Sequence, residues 1–185
     1  NHGQNHFMIP FFFGEDWTKS LPLVALQYHE VELRIKCRDG YTPQGTPKIY
    51  GNYIYLDTDE RAYFTDTEHE ILFTQTQYQP ATNTDTELDL SYFNHPVKSI
   101  HLVSGAAAGQ KWYDEYTFST SSLYINGTPL YENTSNVYHH NVVPQMHCTD
   151  LPDDVLDDLP TYTWPFCLSM SKAQPSGTLN FSRID

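Results

Sequence analysis

Short apolar and aromatic stretches alternate with turn residues along the chain, and this spacing is the feature that most limits its possible folds. Twelve prolines and nine glycines are spread over the 185 residues rather than concentrated in one part. Such spacing suits many short strands better than a few long helices. Aromatic residues make up 15% of the chain, and they favour the half-buried surface of a strand. We therefore expect an all-β sandwich or jelly roll.

Alternating apolar residues predict the individual strands. The stretch from Leu21 to Val31 is apolar on both faces, which predicts a strand packed between two layers. Pro175, Ser176 and Gly177 predict a tight turn before the last strand. The predicted strands are residues 7–13, 21–35, 49–56, 69–78, 87–92, 97–103, 116–125, 162–170 and 178–184.

Two short helices interrupt this pattern. Residues 57–64 offer Asp57 or Thr58 as an N-cap and place acidic residues in the first turn. Residues 150–159 place Pro152 near the helix start among five aspartates. The first helix is the best candidate for a domain boundary.

Charge and cysteine content limit the classes of function. A formal net charge of −13 argues against nucleic acid as a direct partner, because phosphate binding requires Lys and Arg. The sequence holds no run of about 20 apolar residues, so we expect no membrane insertion. Cys37, Cys148 and Cys167 are odd in number and form no CxxC pair, so we expect reduced, buried thiols.

The tightest group of possible metal ligands is His139, His140, His147 and Cys148. Adjacent His139 and His140 would point to opposite faces of a strand, and neither an HxH nor an HExxH motif occurs. We therefore expect no metal and no cofactor. We place the three histidines in a loop-rich region and expect their joint replacement by Ala to leave folding nearly intact.

The remaining candidates for chemistry also have structural interpretations. His29, His69 and His95 lie in or beside predicted strands, and no GxSxG, P-loop or GxGxxG motif is present. The GAAAG stretch at residues 105–109 reads as a loop. We therefore expect no catalytic site. Asp57, Asp59, Glu60 and Arg61 are interpreted as a helix cap. The glycosylation sequons at Asn126, Asn133 and Asn180 are expected to be unused.

Five blocks together carry a resemblance to a known family. They are IPFFF at residues 9–13, LPLVALQYHEV at 21–31, YIYLDTDER at 53–61, FNHPVK at 93–98 and QPSGTLNFSRID at 174–185. With these blocks the sequence resembles the major capsid proteins of nucleocytoplasmic large DNA viruses, of the chlorella virus, iridovirus and mimivirus type. The blocks follow the family's order across nearly the whole chain.

This resemblance implies a tandem double jelly roll that forms trimers tiling an icosahedral capsid. Residues 1–66 would be the C-terminal part of the first jelly roll and the linker, and residues 67–185 most of the second. The expected function is structural, with the chain itself, neighbouring capsomers and possible minor capsid proteins as partners. The expected location is the virion, after assembly in the host cytoplasm. A chain lacking strands should not be a stable monomer when expressed alone.

Two alternatives from other classes stay open at this point. A carbohydrate-binding jelly roll would use exposed aromatic rings, for which Trp17, Trp112 and Trp164 are available. A cupin-like metal enzyme would use several of the histidines.

Overall fold

The computed structural model describes residues 11–36, 48–81, 85–103, 118–148 and 161–184. These residues belong to two compact units, Asn1–Thr74 and Gln75–Asp185. In the described ranges, no helix is both long and apolar enough to cross a membrane.

The first unit contains short helical elements. Two 3-10 helices span Phe12–Gly14 and Trp17–Lys19, and helix α1 spans Thr58–Asp66. The described parts of this unit contain no strand, so the strand predictions at residues 21–35 and 49–56 are wrong for this structure.

The region predicted as a strand packed between layers instead forms successive turns. The amides of Ala25, Leu26 and His29 each donate to the carbonyl three residues earlier, at 2.9–3.1 Å. These local bonds use backbone N–H and C=O groups that a strand would pair with a neighbouring strand. The predicted strands at residues 69–78 and 87–92 are likewise not formed. A strand requires a partner for its backbone, and the alternation of residues does not supply one.

Helix α1 begins where its capping residues predict. Asp57 accepts from the amide of Thr58 at 2.7 Å, and the Glu60 carboxylate accepts from the amide of Asp57 at 3.0 Å. Together with the bond from the Glu60 amide to the Asp57 side chain, these contacts make a capping box. At the other end, His69 Nε2 donates to the carbonyl of Phe64 at 2.7 Å. The predicted helix is confirmed, with Asp57 as its N-cap.

The second unit holds the six strands of the described structure, in three two-stranded antiparallel sheets. The sheets pair β1 with β6, β2 with β5, and β3 with β4. These strands confirm the predictions at residues 97–103 and 116–125, and the first part of that at 162–170. Of the strand predicted at 178–184, Leu179–Asn180 forms, and a 3-10 helix at Phe181–Arg183 replaces the rest. Their bounds are β1 Pro96–Val97, β2 Ser99–Val103, β3 Thr120–Ile125, β4 Thr128–Ser135, β5 Thr161–Pro165 and β6 Leu179–Asn180.

The β3–β4 hairpin turns through Asn126 and Gly127, whose φ angles are 48° and 74°. Positive φ at both central residues defines a type I′ turn, for which Asn-Gly is the preferred sequence. Asn133 also has a φ of 48°, and its amide donates to the Ser122 hydroxyl at 2.9 Å at an irregularity in the β3–β4 register. Strand β4 was not predicted, although the Asn-Gly pair marks it.

The segment that leads into β6 depends on Gly177. Its φ is 146°, and a Cβ placed there would lie 2.9 Å from the carbonyl oxygen of Phe166. The preceding Ser176 hydroxyl accepts from the Ser169 amide at 3.0 Å. Glycine is therefore required here both by conformation and by close packing. Residues 175–178 form no hydrogen-bonded turn, so the prediction of a tight turn at Pro175, Ser176 and Gly177 is wrong.

Strand β5 packs against a helical segment that was predicted to be loop-rich. A π-helix at Tyr138–Val142 continues into α2 at Val143–His147, and we call this continuous segment the histidine helix. His139, Val143 and Tyr162 are fully buried where it meets β5. This junction is the core of the second unit, so the loop prediction is wrong. The predicted helix at residues 150–159 lies outside the described residues.

Candidate functional site

Three histidines join the histidine helix to β5 and the segment after it. His140 Nδ1 bonds to the carbonyl oxygen of Thr161 at 2.9 Å, and His139 Nδ1 to that of Thr163 at 3.1 Å. His147 Nδ1 bonds to the carbonyl oxygen of Cys167 at 2.9 Å. A carbonyl oxygen can only accept, so each Nδ1 carries the hydrogen and donates it.

The carbonyls of Thr161 and Thr163 lie on the edge of β5 that faces away from β2. Thr163 pairs with His101, and the neighbouring pairs are Trp164 with Ile100 and Tyr162 with Leu102. Phe166 donates its amide to Lys98 at 2.8 Å, so even-numbered β5 residues point their backbone groups at β2. Odd-numbered carbonyls therefore point outwards. The histidine rings take the place of a neighbouring strand on this edge.

Thr163 connects the two sides of β5. Its carbonyl accepts from His139, and its hydroxyl lies 3.0 Å from His101 Nδ1. The other ring nitrogen of His101 lies 2.8 Å from the Ser99 hydroxyl. Burial lowers the pKa of His101, because charge is disfavoured away from water.

His139 sits in an aromatic box. Its ring centroid lies 4.7 Å from that of Trp164, and 5.4 Å from those of Tyr131 and Tyr138. Burial lowers the pKa of His139, and the bond to the Thr163 carbonyl opposes this effect. Its Nε2 atom is buried and has no hydrogen-bond partner among the described residues. The site therefore favours a neutral ring.

The geometry around the histidines offers no metal site in the described ranges. Across these residues, no group of three or more His, Cys, Asp and Glu side chains is arranged to hold a metal ion. Cys148 is partly exposed, Cys167 is buried, and both are free thiols. Cys37 lies outside the described residues. That the protein needs no metal or cofactor stays a prediction.

The other candidate residues have local backbone roles. His95 has a φ of 70°, and its amide donates to the Ser182 hydroxyl at 2.8 Å. His29 is exposed. Asp57 and Glu60 close the α1 capping box and His69 bonds to its last turn, as described above.

The aromatic and glycosylation candidates are dispersed. Trp17 is 79% exposed, Trp164 packs on His139, and Trp112 lies outside the described residues. Asn126 and Asn133 are exposed positive-φ residues in the β3–β4 hairpin. Asn180 instead uses its side-chain oxygen to accept from the Ser182 amide at 3.1 Å. Use of these sequons stays untested.

The sequence did contain a signal for the histidine helix. His140, Val143, Pro144 and His147 are spaced i, i+3, i+4 and i+7, which is the pattern of one helical face. We interpreted the adjacent histidines with the two-residue period of a strand, which hid this face. That period placed His139 and His140 on opposite sides, whereas both are buried.

Comparison with known proteins identifies the family to which this architecture belongs. The family model described as the large eukaryotic DNA virus major capsid protein matches residues 60–185. The model of the major capsid protein N-terminus matches residues 4–57. The chain therefore belongs to the major capsid protein family of large eukaryotic DNA viruses.

Individual relatives agree with this assignment. The major capsid protein of Pyramimonas orientalis virus is 31% identical, over 96% of this chain and 51% of the relative. That of Paramecium bursaria Chlorella virus 1 is 28% identical, over 98% of this chain and 53% of the relative. The chain thus spans about half the length of the curated relatives it matches.

A solved structure supports the fold. The quasi-atomic model of the PBCV-1 virus capsid aligns with a TM-score of 0.50 and 24% identity, over 71% of this chain and 40% of that one. The expectation of an all-β, jelly-roll fold is confirmed.

Proposed function

We propose that this chain is part of the structural subunit of a viral capsid and has no enzymatic role. The observation that carries the proposal is the match to two capsid family models, in chain order, over residues 4–57 and 60–185. Together these ranges cover nearly the whole chain. A shell protein works by forming contacts with other proteins, so its surface should carry apolar groups for them.

The exposed apolar side chains of the first unit support this proposal. Tyr28 is 95% exposed and Tyr55 is 93% exposed. Single exposed apolar residues are common on soluble proteins, whereas many large ones within a short part of the sequence suit contacts with other protein surfaces. The large exposed side chains in residues 28–55 are Tyr28, Val31, Leu33, Ile35, Ile49, Tyr50, Tyr53, Ile54 and Tyr55.

The proposed assembly is a homotrimer that packs against neighbouring capsomers in an icosahedral shell, with minor capsid proteins as further partners. The virion is its proposed location, following assembly in the host cytoplasm. The proposed organisation is two jelly rolls in tandem, with residues 1–66 in the first jelly roll and linker and 67–185 in the second. The interval between the two matched ranges, residues 58–59, falls in the first turn of α1 and supports a boundary at this helix.

Neither alternative gains support from the comparisons. The matching family models and the relatives named above are capsid proteins, which favours neither a carbohydrate-binding module nor a cupin-like enzyme. In addition, His139, His140 and His147 each commit Nδ1 to a backbone carbonyl.

Assembly of the complete protein tests this function. We expect light scattering after size-exclusion chromatography to give the mass of three chains, and electron microscopy to show particles of trimer size. The double variant Tyr53→Ser, Tyr55→Ser should weaken assembly. As a matched control, Tyr63→Ser alters a tyrosine on α1 that is 62% exposed and should leave it unchanged. A folded wild-type protein that stays monomeric at high concentration would contradict the proposal.

A further inference from the structure

Cys148 and Cys167 are distant in sequence, but the backbone brings them to neighbouring positions. His147, which precedes Cys148, donates from Nδ1 to the carbonyl of Cys167 at 2.9 Å. The carbonyl of His147 also accepts from the amide of Met170 at 2.8 Å. These two bonds hold the end of the histidine helix against the segment that follows β5.

The two thiols also influence each other electrostatically. Burial raises the pKa of Cys148, and the nearby Cys167 raises it further. Burial likewise raises the pKa of Cys167, while Lys98 and hydrogen bonds from Ser169 and Ser176 oppose that rise. Lys98, Ser169 and Ser176 oppose the rise in the pKa of Cys167 because they stabilise its thiolate.

A cleft lies on the Cys167 side of this place. It has a volume of about 420 Å³, and its lining includes His147, Cys167 and Ser176. Cys148 is partly exposed. A small oxidant can therefore reach Cys148 from solvent without unfolding of the second unit.

We propose that Cys148 and Cys167 are a redox-responsive pair, which a small disulfide such as oxidised glutathione converts into an internal disulfide. This inference goes beyond the proposed capsid function and does not depend on it. The bond would tie the C-terminal end of the histidine helix covalently to the segment after β5, where His147 already makes a hydrogen bond.

The reaction proceeds by two exchange steps. The Cys148 thiolate attacks a sulfur of the oxidant, forming a mixed disulfide and releasing one glutathione thiolate. The Cys167 thiolate then attacks the Cys148 sulfur and expels the second glutathione thiolate. The two protons lost by the cysteines end on the two glutathiones. The protein thiols are oxidised and the glutathione disulfide is reduced.

The test treats the folded, full-length protein with oxidised glutathione. Free thiols are then alkylated, and the protein is digested and its peptides are measured by mass spectrometry without reduction. An endoprotease that cuts at aspartate separates the two cysteines, because Asp150, Asp153 and Asp154 lie between them. We expect a linked peptide pair containing Cys148 and Cys167 as the main product. Its rate of formation should rise with pH between 7 and about 9, since both thiols have raised pKa values.

Three controls make the outcome decisive. Cys37→Ser should leave the linked pair unchanged, and Cys167→Ser should stop the reaction at a glutathione adduct on Cys148. Oxidation in urea should give a lower share of this pair and more links to Cys37. Separate adducts on Cys148 and Cys167 in the folded wild type, or an equal yield of the pair in urea, would overturn the proposal.

Discussion

The Nδ1–H group of His139 donates a 3.1 Å hydrogen bond to the carbonyl oxygen of Thr163, and this bond joins the histidine helix to the outer edge of β5. His140 and His147 make the same kind of bond to the carbonyls of Thr161 and Cys167. These two acceptors lie two residues before and four residues after Thr163. Imidazole rings thereby satisfy strand carbonyls that would otherwise need a further strand.

Replacing His139 should destabilise the second unit. His139→Ala leaves a cavity in the aromatic box and a buried carbonyl at Thr163 without its donor, which together cost about 2–4 kcal/mol. The measurement is urea unfolding of the full chain. His29→Ala, at an exposed position, should change the free energy of unfolding by less than about 0.5 kcal/mol.

This expectation corrects the one based on sequence. We had placed His139, His140 and His147 in a loop-rich region, where joint replacement by Ala would be tolerated. Because two of them are buried and all three bond to the β5 segment, the triple variant should fail to fold its second unit. A triple variant with wild-type stability would show that this packing is wrong.

Stability should fall as the solution becomes acidic. Burial holds the pKa of His139 and of His101 below the ordinary histidine value of 6.5. Between that lowered pKa and 6.5, the unfolded chain binds more protons than the folded chain, so the free energy of unfolding decreases as pH falls through this window. Above 6.5 this contribution is fully present.

Unfolding experiments at pH 7.5 and pH 5 check this effect. The groups facing His139 are Tyr131, Tyr138 and Trp164, and those facing His101 are the hydroxyls of Ser99 and Thr163. None of these groups gains charge in that range. His101→Gln should reduce the pH dependence, and an unchanged slope in this variant would exclude His101 as a source.

Substitution of Gly177 should be costly. Gly177→Val forces a β-branched residue to a φ of 146° and places its Cβ against the carbonyl of Phe166, so we expect a loss of at least about 2 kcal/mol. Gly127→Asn is the matched control, because Asn tolerates positive φ and nothing lies within 4 Å of that site. Thermal unfolding of both variants makes the comparison.

The capping box of α1 predicts a local effect in the first unit. Asp57→Ala removes the side chain that accepts from Thr58 and should destabilise the helix by about 1 kcal/mol. Hydrogen exchange at the amides of the first helical turn measures this loss directly. Asp57→Asn keeps an acceptor and should retain most of the protection, whereas equal exchange in both variants would argue against the cap.

Features that depend on neighbouring residues could be predicted from the sequence. The α1 cap follows from Asp57 and Glu60 three residues apart. The glycine at Gly177 could be marked from its sequence, but the reason for it is the close approach of Phe166 and not a turn. The Asn126-Gly127 hairpin has an equally local cause, although we read that pair only as a sequon. The family resemblance was also present in the sequence blocks, and the comparisons confirm it.

Pairing and burial were decided by tertiary structure. Alternating apolar residues at 21–31 and 49–56 satisfy the pattern of a strand. A strand forms only where another segment pairs with its backbone, and the pattern does not identify that segment. The same limit applies to His139, His140 and His147. Their residue types fit a metal site, a loop or a core. Their role is set by β5 and the segment after it, which lie more than ten residues away in sequence and present backbone carbonyls to the three rings.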